Sequence, residues 1–360
     1  MKFLKDIKEL EGVRVLVRLD LNVPVPKLTG ACGTAFRIRK IIPTIKYLQD
    51  KKAKIILISH IGEGEAKESL SPVADCLKKL GVNCVFVKDY RKVLENKDQV
   101  ILLENLREHE GEMKNDKAFA RELASLGDIY VNEAFAVSHR KHASVSAITE
   151  FIPSYAGFLF EEEIKHLSTA FTPDHPFLFI LGGAKFETKL PLIEKFINIA
   201  DKIFVGGALA NNFFKEQGRL VGKSLVSPQD FNLSRFFNNP KLVLPVDEVW
   251  KNDAILDVGP KTVARLEEEV KKAKYILWNG PLGLYEQGFK EPTLALAKMI
   301  AIATKSGAKS ILGGGDTLAV IAELGNEDKF TFVSTGGGAM LEFLAKGTLS
   351  GIEALEKSKA

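Results

Sequence analysis

The stretch FLFILGGAK, residues 177–185, is five apolar residues in a row followed at once by two glycines, an alanine and a lysine. A run this short and this continuously apolar suits a strand covered on both faces, the situation of a parallel sheet flanked by helices. The small residues after it suit a tight turn into a helix. The same arrangement recurs along the chain. VRVLVRLD (13–20), AKIILISH (53–60), QVILLEN (99–105) and DIYVNEA (128–134) precede it, and KIFVGGA (202–208), KLVLP (241–245), YILWNGP (275–281), SILGGGD (310–316) and FTFVSTGGGA (330–339) follow. Strands alternating with helical patterns in this way predict an α/β fold.

The chain has 360 residues and 46% hydrophobic content, more than one ordinary core accommodates and enough for two domains of about 150 residues or more. A helix-like stretch, GFLFEEEIKHLSTAF (157–171), closed by the turn-rich TPDHP (172–176), lies between the halves and reads as their connector. The expected organisation is two Rossmann-like three-layer αβα domains with mainly parallel sheets, residues 1–156 and 173–345, joined by a hinge helix over 157–172. Lys plus Arg number 50 against 46 Asp plus Glu, a net charge of +4, so no bulk positive field draws the protein to nucleic acid or an anionic membrane. The three cysteines, Cys32, Cys76 and Cys84, form an odd set without C-x-x-C spacing, which argues against a disulfide framework or a zinc site. A reducing, cytoplasmic setting is expected. The N-terminus has scattered charges and no apolar leader core, and no later run reaches the roughly 18 apolar residues of a membrane helix.

In open α/β sheets ligands bind beyond the carboxyl ends of the strands, and there the two halves differ. The first half carries Asp20, Asn22, His60, Arg107, His139 and Arg140 at its strand ends. Guanidinium and imidazole groups converging at one sheet edge suit a small, highly charged anion. The second half carries glycines: Gly182 and Gly183, Gly206 and Gly207, Gly280, Gly313 to Gly315, and Gly336 to Gly338. Glycines let backbone N–H groups and helix N-termini approach phosphates and leave flat space for a base, so this edge suits a nucleotide. Asp316, directly after three of these glycines, reads either as a helix N-cap or as a carboxylate placed to hold Mg²⁺ beside a polyphosphate.

Three other readings weaken on inspection. His139 and His142 sit beside Arg140 and Lys141, which repel a divalent cation, so the HRKH cluster does not read as a metal site. GRLVGKS (218–224) is one residue too short between its glycines for a P-loop. No strand is followed by G-x-G-x-x-G with an acidic residue about 20 positions on, which argues against a nicotinamide-dependent dehydrogenase.

Taken in order, VRLDLNVP (17–24), RIRKIIPTI (37–45), SHIG (59–62), LLENLR (102–107), HRKHAS (139–144), LGGAK (181–185), WNGPLG (278–283), GGGDT (313–317) and STGGGA (334–339) resemble the motifs of the phosphoglycerate kinase family over essentially the whole chain. The resemblance implies that the first domain binds 3-phosphoglycerate or 1,3-bisphosphoglycerate through Asp20, Asn22, Arg37, His60, Arg107 and Arg140. It implies a second domain that places Gly182, Gly183, Gly206 and the turn with Asn279, Pro281 and Gly283 around the base of ATP or ADP, with Glu286 on the ribose. Lys185, Asp316, Thr317, Gly313, Gly314 and Gly315, and the helix start at Gly336, Gly337 and Gly338 would serve the phosphates, with Asp316 on Mg²⁺. Lys189 and Lys215 match lysines that contact the phosphate chain, and Arg37 and Lys215 are the expected catalytic cations. The tail, residues 346–360, is expected to fold back on the first domain of a monomer.

Such a reaction needs alignment and positive charge around a transferring phosphoryl group, and no nucleophile on the protein. The sequence departs from the family pattern after SHIG, where Glu63 and Gly64 replace an arginine and a proline. Thr34, Ala35 and Phe36 replace an acidic pair before RIR, and Ala208 replaces a third glycine. Lys67 is a candidate substitute cation for the one missing at 63. These departures motivate an alternative, a catalytically weakened nucleotide-binding relative with a regulatory or interaction role.

Overall fold

The computed structural model describes residues 1–23, 36–62, 68–325 and 327–358. Glu63, Gly64, Lys67, Thr34 and Ala35 lie outside the described residues. The chain divides into two compact units, one of Met1–Lys165 with Thr348–Ala360 and the other of His166–Gly347.

In the first unit the apolar runs become β1 (Arg14–Arg18), β2 (Lys54–Ile58), β4 (Val100–Leu103) and β5 (Ile129–Asn132), completed by the short β3 (Val85–Val87) and β6 (Ser154–Ala156). The six form one sheet in the order β3-β4-β2-β1-β5-β6, with every neighbouring pair parallel. Val17 at the sheet centre pairs with Leu57 on one side and Val131 on the other, and all three are fully buried. Each such side chain contributes roughly 1.5 to 3 kcal/mol by leaving water. The helices are α1 (Phe36–Asp50), α2 (Ser71–Lys79), α3 (Glu110–Met113) and α4 (Lys117–Ala124). Along α1, Ile38, Ile41, Ile45 and Leu48 recur at helical spacing and are buried, which fixes the face turned to the sheet. A further helix, α5 (Phe158–Ser168), carries the chain across the boundary between Lys165 and His166.

The second unit holds β7 (Phe177–Leu181), β8 (Lys202–Val205), β9 (Leu242–Val243), β12 (Tyr275–Asn279), β13 (Lys309–Gly313) and β14 (Phe332–Ser334). They form a second six-stranded sheet, order β14-β13-β12-β7-β8-β9, again parallel throughout. Its helices are α6 (Phe186–Phe196), α7 (Ala208–Glu216), α8 (Pro260–Lys272), α9 (Glu291–Lys305), α10 (Gly315–Leu324) and α11 (Gly338–Lys346). The opening stretch is β7: all five of its residues are buried, and it pairs with β8 and β12. The α/β reading with two parallel sheets therefore holds.

The last helix, α12 (Ser350–Lys357), belongs to the first unit. Gly351 N–H donates to the Ser138 carbonyl at 2.8 Å, and Ile352 and Leu355 are buried. An ideal Cβ on Gly351 would stand 2.7 Å from the Ser138 side chain, so this approach requires a glycine.

The apolar runs do not announce β3, β6 or the antiparallel pair β10 (Glu248–Lys251) and β11 (Ala254–Val258). β3 and β6 are three-residue strands at sheet edges, and β10 is largely exposed, so none presents a run of four or more buried apolar residues. Cys84 is a buried free thiol. Among the described residues no helix is long and apolar enough to cross a membrane.

Candidate active site

In each sheet the strand order reverses at the centre, and the crevice at that switch point is where open α/β sheets hold ligands. In the first unit the reversal lies between β1 and β5. Asp20 and Asn22 follow β1, and His139 and Arg140 follow β5. Arg37, in the first turn of α1, donates from Nη1 to Asp20 Oδ2 at 3.2 Å. Asn22 Oδ1 accepts from Gly62 N–H at 3.0 Å, and Arg107 Nη1 donates to the Gly62 carbonyl. These bonds gather residues from β1, β2, β4 and α1 at one edge.

His60 is the best-defined member of this group. Arg18 Nη2 lies 3.1 Å from His60 Nδ1. A guanidinium only donates, so Nδ1 accepts and the ring proton sits on Nε2. Nε2 is buried without a hydrogen-bond partner among the described residues. Burial, then the charges of Arg18, Arg107 and Arg140, hold the ring far below the ordinary histidine value and so neutral. The result is a buried N–H donor facing a surround of guanidinium groups, a combination suited to an oxyanion. His142 is likewise held neutral, pushed down to about 4 by burial and by Arg18, so its 3.8 Å approach to Glu112 is not an ion pair at neutral pH. It serves as a structural residue.

Arg18 is itself fully buried, and the sequence reading missed its role. Its Nε donates to Ser144 Oγ at 2.8 Å, and Ser144 Oγ donates to Glu112 Oε1 at 2.6 Å. The signal was present: a charged residue ending a strand buried on both faces has to be matched by polar partners. Arg140 is exposed, with its Nε 3.4 Å from His139 Nε2. Among the described residues no three His, Cys, Asp or Glu side chains group as a metal cluster.

In the second unit the reversal lies between β7 and β12, and the glycine turns meet there. Gly182 N–H donates to Asn279 O at 2.9 Å, Gly183 N–H to Pro281 O at 2.8 Å, and Gly207 N–H to Leu282 O at 3.1 Å. An ideal Cβ on Gly182 would lie 2.0 Å from the Pro281 carbonyl oxygen. These glycines therefore pack backbone against backbone, with their N–H groups engaged by the Asn279, Pro281 and Leu282 carbonyls of the facing turn. Gly206 N–H is engaged with Leu181 O. Thr317 is also turned inward, its Oγ1 accepting from Gly280 N–H at 2.9 Å, and Asn279 Nδ2 donates to Gly313 O at 2.7 Å.

Further donors lie at the helix starts, although the Leu209 amide of α7 is bonded to Gly183 O at 3.3 Å and the Ala339 amide of α11 to Gly336 O at 2.9 Å. At α6, α7, α10 and α11 the N-cap positions are Lys185, Gly207, Gly314 and Gly337, and none places a side chain on the first-turn amides. Four uncapped helix N-termini at the carboxyl edge of one sheet present amides and partial positive charge to anions. Gly315 has nothing within 4 Å of an ideal Cβ, so the start of α10 is open. Gly336 N–H reaches back to Ser334 Oγ at 3.0 Å and fixes the turn before α11.

Beside these starts is a cavity of about 450 Å³, lined by apolar groups from Ile255, Leu256, Pro281, Leu282 and Leu284, with Gly183, Gly283, Glu286 and Asp316 at its wall. Its size fits a small-molecule pocket. Asp257, which the sequence reading did not single out, also lines it and is buried. Its carboxyl would stand 2.2 to 2.4 Å from an ideal Cβ on Gly283, so a glycine there makes room for it. Burial pushes the Asp257 carboxyl up to about 7, against the pull of the Val258 N–H. A raised carboxyl favours the folded state at low pH, and that contribution is lost as pH climbs from about 4 through 7. Asp257→Asn is thus expected to gain in Tm relative to the parent chain between pH 4.5 and pH 7.5; a constant or shrinking difference would contradict the raised value.

The predicted lysines separate. Lys189 is buried, donates to the Gly182 carbonyl, and is pushed down to about 8 by burial, with Asp316 opposing and Lys185 adding to the shift. It holds the glycine turn. Lys185 is exposed at the start of α6. Lys215 is exposed in the last turn of α7, seven residues from the helix start and so roughly 10 Å along the axis from the glycine edge. Of these lysines, Lys185 is the exposed one at the glycine edge, while Lys215 lies one helix length away from it.

The family model for phosphoglycerate kinase matches residues 4–347. The chain is 41% identical to a phosphoglycerate kinase of Pseudothermotoga lettingae, over 99% of this chain and 98% of that one. Among solved structures it resembles a phosphoglycerate kinase from Pyrococcus horikoshii, with a TM-score of 0.85 and 30% identity over 99% of both chains. It also resembles one from Coxiella burnetii, with a TM-score of 0.81 and 35% identity over 98% of this chain and 99% of that one.

Proposed function

Because the chain belongs to the phosphoglycerate kinase family, a carboxyl-acceptor phosphotransferase acting reversibly between 1,3-bisphosphoglycerate with ADP and 3-phosphoglycerate with ATP, we propose which of its residues carry that reaction. The triose phosphate binds at the β1–β5 crevice through Asp20, Asn22, Arg37, His60, Arg107 and Arg140, with His60 donating from Nε2. The nucleotide binds in the apolar cavity of the second unit, with Glu286 on the ribose and the amides at the starts of α6, α10 and α11 on its phosphates. The observation that carries the nucleotide reading is the set of uncapped helix starts beside that cavity.

Mg²⁺ would be held by the exposed Asp316 carboxylate in the first turn of α10 together with phosphate oxygens, the oxygen-rich and water-rich coordination this ion prefers. When bound, it neutralises charge on the phosphate chain. Asp316 lines the cavity wall and is the carboxylate felt by Lys189, so its donor type and its place both fit the ion.

No residue of the protein needs to be phosphorylated. The acyl phosphate of the triose and the β-phosphate of ADP react directly, and charge builds on the equatorial oxygens of the group in transit. Arg37 and Lys185 are the proposed cations for that charge. The ligands are assigned to different units, so turnover requires a closing step that brings the reacting oxygens to about 3 to 3.5 Å. A cytoplasmic monomer is the proposed working form.

A coupled assay tests the reading: turnover that depends on both Mg²⁺ and 3-phosphoglycerate supports it. Nucleotide binding without turnover would establish the weakened, regulatory alternative instead. Glu63 gives a second, local test. A charge-assisted hydrogen bond to phosphate is worth about 1.5 to 3 kcal/mol, so Glu63→Arg is expected to lower the KM for 3-phosphoglycerate by about tenfold or more. An unchanged KM would show that position 63 does not touch the ligand.

A further inference from the structure

Glu133, the residue after β5, takes no part in the site described above, yet it is 1% exposed and fully engaged. Its carboxylate accepts from the Leu159 amide at 3.0 Å, the Phe160 amide at 3.2 Å and the Thr44 hydroxyl. Leu159 and Phe160 are the second and third residues of α5, the helix that carries the chain from the first unit into the second. The residue before that helix is Gly157, which has no side chain with which to cap it. A Cβ there would fall 2.0 Å from Glu133 Oε2, so the glycine opens the space that the carboxylate fills. A residue distant in sequence thus supplies the helix cap, where the helix dipole favours a negative charge. Burial raises the Glu133 carboxyl to about 7, against the pull of the Thr44 hydroxyl and the two amides; the charge of Glu162 adds to the rise.

Thr44 lies in α1, two turns from Arg37. One carboxylate therefore joins three elements: β5, which leads to His139 and Arg140; α1, which carries Arg37; and α5, which leaves the unit. We propose that Glu133 is a positioning residue for phosphoryl transfer, coupling the triose-binding edge to the connecting helix through Thr44. It touches neither substrate and acts by fixing the start of α5 relative to α1, so that ordering of the triose edge and the closing step reinforce each other. This inference rests on the reaction and the binding edges assigned above.

The experiment uses the full chain with Thr44→Val, Thr44→Ser and Glu133→Gln. Thr44→Val removes the bond from α1 while leaving the two amide bonds that cap α5. Coupling carried by such a link alters function by about tenfold, so Thr44→Val and Glu133→Gln are expected to lower kcat about that much, with the Kd of 3-phosphoglycerate alone and of MgADP alone within twofold of the parent. The decrease in radius of gyration when both ligands are added, read by small-angle scattering, is expected to shrink in the same variants. Thr44→Ser keeps the hydroxyl and is expected to retain the parent's kcat. Parental kcat in Thr44→Val, an equal loss in Thr44→Ser, or a fall in kcat matched by an equal loss in single-ligand affinity would each overturn the proposal. A parent chain without turnover would count against the assigned reaction, and the scattering arm, which needs only binding, would still decide the role of Glu133.

Discussion

Lys185→Ala is expected to lower kcat by about 10²- to 10³-fold, the cost typical of removing one preorganised group that stabilises transition-state charge. The Kd of MgATP is expected to change only a few-fold, because the amides at the starts of α6, α10 and α11 remain in place. Lys215→Ala is expected to leave both quantities near the parent's. The contrast follows from position. Lys185 sits at the N-cap of α6, directly beyond the β7–β12 crevice, and its charge is felt by Lys189. Lys189 already donates to the Gly182 carbonyl and is buried, so it is committed to the turn. Lys215 is at the far end of α7. Steady-state kinetics with direct binding measurements separate the terms, since a group acting only in the transition state lowers kcat and kcat/KM together. A larger loss in Lys215→Ala than in Lys185→Ala would reverse the assignment.

Gly182→Ala is expected to be the most damaging single change in the second unit. A methyl group there meets the Pro281 carbonyl oxygen at 2.0 Å and the Gly280 carbonyl oxygen at 2.7 Å, both backbone atoms that no rotamer change can move. Relief requires the β7 and β12 turns to separate, which breaks the bonds from Gly182 to Asn279 and from Gly183 to Pro281 and displaces Lys189. Overpacking of this kind costs about 3 kcal/mol or more, a fall in Tm of roughly 6 to 12 °C for a domain of this size. Nucleotide affinity is expected to fall with it, because the turn forms one wall of the cavity. Thermal unfolding followed in parallel with MgADP titration checks both. Gly315→Ala, where a Cβ meets nothing within 4 Å, is the matched control and is expected to keep the parent's Tm within a few degrees. Equal effects at the two positions would show that packing at Gly182 is not the reason for the glycine.

The sequence made the central strands legible because each is buried on both faces and so has to be continuously apolar. β1, β2, β4, β7, β8, β12 and β13 all lie in the runs that announce them. The edges were not legible: β3 and β6 have three residues each and β10 is largely exposed, so burial imposes no pattern on them. At the site, motif position located the residues but not their duties. Gly182, Gly207, Thr317 and Lys189 read from sequence as ligand contacts, and the fold shows a duty the sequence did not announce: they bond to Asn279, Leu282, Gly280 and Gly182 respectively and build the turn. Nothing in a glycine's identity distinguishes a close approach to phosphate from a close approach to another carbonyl. Buried polar residues were hardest to foresee. Arg18 and Glu133 take their meaning from partners distant in sequence, among them Ser144 for the first and Thr44 for the second, and a single sequence does not say which distant residues meet.

The central claim is that Arg37 and Lys185, supplied by different units, share the charge of the phosphoryl group in transit. It is tested most directly by a crystal structure of the full chain with 3-phosphoglycerate, MgADP and a planar fluoride mimic of that group. The account predicts the triose carboxylate and phosphate on His60, Arg107 and Arg140, Mg²⁺ on Asp316, and both Arg37 and Lys185 within hydrogen-bond reach of the mimic. A mimic contacted by Lys215, or a triose bound away from His60 with Arg37 turned from the ligand, would contradict it.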